Sequence, residues 1–168
     1  MRGCPNRAAE LEVVEGLAEV LLRRGRYDES VRLWRRIREA ATDALTRARA
    51  FGRIGEIGMK TGSREAYDDL AEALRLLGHP VPQGSVATGV AIVSQIAVQC
   101  LHSMAPSRFL ARRSLRDAEG DLLASVIFDR MKQLTGLESR FPLTFWSHLR
   151  SLNTIERYPP TRQLGWVW

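Results

Sequence analysis

The chain has 168 residues, of which 45% are hydrophobic and 26% charged. These are ordinary globular proportions; they exclude wholesale disorder, and the length suits one domain or a short array of repeats. The net charge of +6 is carried by 23 Arg and 2 Lys, and two cysteines, Cys4 and Cys100, are too few for a disulfide framework, which favours a reducing, cytoplasmic setting.

The N-terminal stretch MRGCPNRAAELEVVEG has no apolar core before a cleavage site, so it does not read as a signal peptide. Residues 6–79 contain no proline, which suits unbroken helices. Apolar residues recur at helical spacing, and β-branched alternation is almost absent. The spacing predicts helix 1 over about 7–24, with Val14, Leu17, Ala18, Leu21 and Leu22 as its stripe and Gly25 as its stop. Helix 2 follows over 28–40 on Val31, Trp34 and Ile37, and helix 3 over 43–60 on Phe51, Ile54 and Ile57. Gly62 breaks the chain, Ser63 is placed to cap, and helix 4 covers 64–77.

Between Arg75 and Arg108 lie 32 residues without Asp, Glu, Lys or Arg. Helix 5, over 85–104, falls inside this gap. It has nearly the length of a membrane span, but Gln95, Gln99 and His102 interrupt it. The favoured reading is a fully buried helix covered on several sides. A longer helix is expected over 107–134, bent near Gly120, and a last one opens at Pro142 and closes before Pro159.

Two segments, LLRRGRYDESVRLWRRI and EIGMKTGSREAYDDLAEAL, each read as helix, tight turn, helix, with Gly25 and Gly62 at the turns. In one copy Val14, Leu17, Ala18, Leu21, Ser30 and Trp34 take the signature places; in the other Phe51, Ile54, Gly55, Gly58, Ala66 and Leu70 do. This pattern resembles a degenerate pair of tetratricopeptide units. It departs from the signature at Val14, which is not aromatic, at Gly58, where Tyr is usual, and in its 37-residue step.

Further on, ALRLLGHPVPQ, the run containing Gln95 and Gln99 before LHSMAPSRFLARR, and FWSHLRSLNTIERYPPT follow in order. Residues 10–162 resemble the helical-repeat region of large bacterial signalling proteins, with Asn153, Glu156, Arg157 and Tyr158 as the most telling residues. The resemblance implies a parent with an AAA/STAND-type ATPase module and a cyclase, kinase or DNA-binding output. It also implies that the chain is a piece of such a regulator.

The sequence carries no recognisable phosphate-binding, metal-ligating or nucleophile motif. Neither Lys60 nor Lys132 follows a phosphate-cradling glycine loop; Gly52, Gly55 and Gly58 fall inside a helix and read as a smooth contact face. His79, His102 and His148 stand far apart, without HExxH or CxxC spacing. Asp117, Glu119 and Asp121 imitate the start of a calcium loop, but Phe128 stands where its Glu is required. No Gly-x-Ser-x-Gly elbow occurs. Arginines crowd residues 23–38 and 108–116 and could meet phosphates, which makes an Arg-rich nucleic-acid binder the alternative reading. Interleaved Asp28, Glu29 and Glu39 favour a solvated face instead.

The expectation is therefore an all-α, tetratricopeptide-like α-solenoid of about seven helices. Residues 1–79 form two helix hairpins, and 80–168 continue the array around the buried helix at 85–104. No catalytic, metal or cofactor residue is assigned. Glu12, Glu15, Glu19, Arg49, Glu56 and Lys60 are the expected exposed, partner-binding residues. The partner is a protein or an adjacent domain, with no membrane role, nucleic acid disfavoured, and self-association through an uncapped end allowed.

Overall fold

A computed structural model describes residues 5–115 and 118–159. Among them are eight α-helices and no strand: α1 Pro5–Arg23, α2 Tyr27–Ala40, α3 Ala44–Thr61, α4 Ala66–Leu76, α5 Ser85–Met104, α6 Pro106–Phe109, α7 Glu119–Leu137 and α8 Phe141–Ile155. The chain is all-α. It divides into two compact units, residues 1–76 and 77–168.

In the first unit each helix packs on the next in sequence. The turns explain the folding back. Gly25 and Gly62 both take φ of 74°, a left-handed conformation that costs glycine little. Beyond them the Arg26 amide donates to the Leu21 carbonyl at 3.0 Å, and the Ser63 amide to the Gly58 carbonyl at 2.8 Å. Both are the six-to-one bond of a Schellman end. Asp43 caps α3 by accepting from the Thr46 amide at 2.8 Å, and that bond holds its carboxyl below its ordinary range.

The core of this unit joins Ala18 and Leu22 of α1, Trp34 and Ile37 of α2, and Ala50, Ile54 and Ile57 of α3. Leu17, expected in the α1 stripe, is instead exposed. Ser30 is wholly buried and donates to the Ala18 carbonyl at 2.8 Å, so its hydroxyl carries no desolvation penalty. On the other side of α3 the glycines matter. A Cβ on Gly55 would stand 2.7 Å from Leu70 Cγ, and one on Gly58 3.0 Å from Ala66 Cβ. Gly55 and Gly58 thus let α4 lie against the α3 backbone.

In the second unit α7 and α8 pack as a pair, α5 lies on α8, and α6 touches α5. Phe128 of α7 is fully buried and meets the Trp146 ring edge-on at 5.6 Å, with Ile127, Met131, Leu143 and Leu149 also buried. Two expectations are corrected here. The single helix over 107–134 is broken: α6 ends at Phe109 and α7 begins only at Glu119. Ala111 takes a positive φ of 55°, and the amides of Ala111 and Arg113 bond to the carbonyls of Glu156 and Arg157. Those bonds replace the helical ladder. The second correction is α5, which is not buried. Among its residues only Thr88, Gln95 and His102 are buried, because α8 is its one extensive neighbour.

Candidate interaction surface

The six residues expected to face a partner do not form an open surface. Glu12 and Lys60 are exposed, but Glu15, Glu19 and Arg49 are half-buried and Glu56 is buried. All but Glu12 are held in ion pairs across α1 and α3 or along α3. Glu15 meets Arg49 at 3.1 Å, and Glu19 meets Arg53. Arg53 and Lys60 then reach the two oxygens of Glu56 at 2.8 and 3.0 Å. The register does place these side chains on one side of the two helices, and opposite charges there satisfy each other. Arg53 belongs to this ladder and was missed, although its place four residues after Arg49 matches that of Glu19 after Glu15.

A groove of about 480 Å³ lies between α2 and α4 over α3. Arg32, Arg35, Asp28, Glu65 and Asp69 line it, so its charges are mixed. Burial pushes the Asp69 carboxyl above its ordinary range, against the pull of Arg38 and Arg35. Arg26, Arg32 and Arg38 of this region have partners at home. Arg26 forks onto Glu29 at 2.6 Å, and the Arg38 guanidinium lies 5.1 Å over the Phe51 ring.

In the second unit, buried His79 accepts from Arg150 at Nδ1, 3.1 Å away, and its Nε2 faces Asp121 at 3.5 Å. Burial and then the Arg150 charge hold this imidazole below its ordinary value. Tyr158 donates to the other Asp121 oxygen at 2.6 Å, where Arg113 also approaches at 3.3 Å. Both imidazole nitrogens are thus engaged, and the cluster ties α7, α8 and the segment before α5 together. Among the described residues no three His, Cys, Asp or Glu side chains converge as metal ligands would. Asp117 of the calcium-like run lies outside the described residues.

Among the described residues α5 carries the longest run of exposed large apolar side chains on one helix; α1 carries a shorter one in Val13, Leu17 and Val20. Its inner stripe is polar: Asn153 donates to the Gln95 carbonyl at 2.9 Å and to the Gln95 side chain at 3.1 Å. Gln99 donates to Glu156 at 3.1 Å, and His102 Nδ1 lies 2.6 Å from the other Glu156 oxygen. The outer face is apolar. Val86 and Met104 are 82% exposed, Val90 and Val93 67%, Leu101 50% and Ile96 42%. Hydrogen bonds are directional, so the seam fixes the rotation of α5 and turns its valines to solvent. Sequence reasoning read the apolar run as core. The missed signal was the seven-residue spacing of Thr88, Gln95 and His102, a polar stripe on an apolar helix. Asn153, Glu156 and Tyr158, prominent in the resemblance, are the seam's and the His79 cluster's partners.

Compared with protein-family models, with curated proteins and with solved structures, the chain matches none of them.

Proposed function

We propose that the chain is a non-catalytic helical-repeat module for protein–protein contact, and that the outer face of α5 is its contact surface. The observation that carries this reading is a 20-residue helix whose Gln95, Gln99 and His102 are held by Asn153 of α8 and by Glu156 just past it, while its large apolar side chains stand in solvent. Contiguous exposed apolar surface of this extent marks interaction sites. The first unit supports the repeat part of the reading. Its two turns, at Gly25 and Gly62, share one conformation and one bonding pattern 37 residues apart, and the pairs Glu15–Arg49 and Glu19–Arg53 join α1 to α3. In the wider resemblance, such a module couples an ATPase module to a cyclase, kinase or transcription output.

The test separates a contact surface from a hidden core. In dilute protein, the triple substitution Val90→Ser, Val93→Ser, Met104→Ser is expected to change unfolding free energy by less than about 0.5 kcal/mol per site. It should also reduce binding of a hydrophobic dye. A loss of several kcal/mol in chemical denaturation, on the order of a core truncation, would overturn the reading.

A further inference from the structure

Resting on that reading, we infer that the occupant of the α5 face is the α5 of a second copy of this chain, packed antiparallel about a two-fold axis. The area is of the right size. The six large apolar residues leave on the order of 600 Å² open, close to the roughly 800 Å² per partner of a standard interface. The charge pattern fits too. Although the chain carries +6, no Asp, Glu, Lys or Arg lies on α5, so two copies of this face meet without repulsion. Gly89 and Ala97 are exposed between the larger residues and allow close approach of two helices.

Direction follows from what flanks the helix. Arg108 and Arg112 are exposed just past its C-terminal end, with no charged residue before its N-terminal end back to Arg75. A parallel pair would bring the two basic ends together. An antiparallel pair separates them and opposes the helix dipoles. The exposed stripe runs from Val86 to Met104, so the axis passes between Val93 and Ala97. Val93 then faces the second copy's Ala97, Val90 its Cys100, and Val86 its Met104. A lipid surface fits less well, because interfacial helices carry Trp or Phe anchors and Lys or Arg on the polar face, and α5 has none of these.

The experiment uses the full chain with Cys4→Ser, so that Cys100 is its only thiol. Light scattering on a sizing column from about 1 to 100 μM is expected to show mass rising from one chain to two. Val93→Glu should hold it at one chain with an unchanged helical circular dichroism spectrum. Should that variant fail to fold, Val93→Ser should weaken association at least tenfold.

Under mild oxidation, Val90→Cys is expected to give a covalent dimer through Cys100. Cys100 alone should give little, because an antiparallel pair holds the two Cys100 sites about 15 Å apart along the axis. Efficient crosslinking of Cys100 alone would overturn the antiparallel arrangement. A single chain at 100 μM would overturn the dimer, and if the dye still binds, the contact-surface reading stands without it. Co-sedimentation of monomer with vesicles of three parts phosphatidylcholine to one of phosphatidylglycerol, with no dimer at any concentration, would assign the face to lipid. Instability of the serine triple variant in dilute protein would remove the contact-surface reading itself.

Discussion

α3 and α5 are helices of 18 and 20 residues that use their inner faces in opposite ways. α3 lies between α2 and α4 and buries Ile54, Ile57, Gly55 and Gly58, while its charges pair along its edge. α5 has one extensive neighbour and buries Thr88, Gln95 and His102. A helix between two others gains from apolar area on both sides, at roughly 25 cal/mol per Å². A helix with one neighbour need not present its apolar side to it, provided the polar seam is satisfied. The difference teaches that hydrophobic content marks a helix as wanting partners without saying that those partners lie in the same chain.

The largest way to break this contrast is truncation. Trp34→Ala, in the core that α3 shares, is expected to cost about 3–5 kcal/mol in chemical denaturation. Met104→Ala on α5 should cost less than about 0.5 kcal/mol in dilute protein. Comparable losses would dissolve the distinction.

Glycine substitution gives the next effect, with opposite signs. Gly55→Ala forces Leu70 or the α4 backbone to move and should destabilise by about 1–3 kcal/mol before the helix-propensity gain. Gly89→Ala meets nothing within 4 Å and should raise the dilute thermal midpoint, by up to about 1 kcal/mol in stability.

Carboxylate neutralisation comes third. Glu156→Gln weakens the seam and should speed amide exchange across α5 while leaving α1–α4 protection unchanged, because its partners Gln99 and His102 both lie on α5. Glu56→Gln should act the other way round, loosening the α1–α3 edge by about 1 kcal/mol.

The smallest effect is on the pH profile. Folded His79 sits below its ordinary value, whereas unfolded histidine titrates near about 6.5. As pH falls through that value the unfolded chain takes up a proton that the folded chain refuses. Stability should therefore decline on acidification from the unfolded value toward the lowered folded one. His79→Asn keeps an acceptor for Arg150 and should flatten this part of the thermal-midpoint profile between pH 7.5 and 5.5.

The helices of the first unit were legible because glycine turns and apolar spacing act locally. Gly25, Gly62, Trp34 and Ile37 announce their roles within a few residues. The contact face of Gly55 and Gly58 was legible for the same reason. What escaped depends on distant residues. Whether Glu56 is exposed depends on Arg53 and Lys60 closing over it. The break after Phe109 depends on carbonyls at Glu156 and Arg157, more than forty residues away. The orientation of α5 was hidden most deeply, since its apolar run outweighs three polar residues in any local count. Only Asn153 and Glu156 reveal which side faces in.

The α5–α8 seam has a consequence for temperature. Exposing amide and imidazole surface lowers heat capacity, whereas exposing valine and methionine raises it. Undocking α5 from α8 should therefore be nearly silent in heat capacity, while separating two apolar α5 faces should not. Apolar association weakens on cooling, and a hydrogen-bonded seam does not share that weakness. Chilling would thus part the outer contact first and leave α5 still seated on α8.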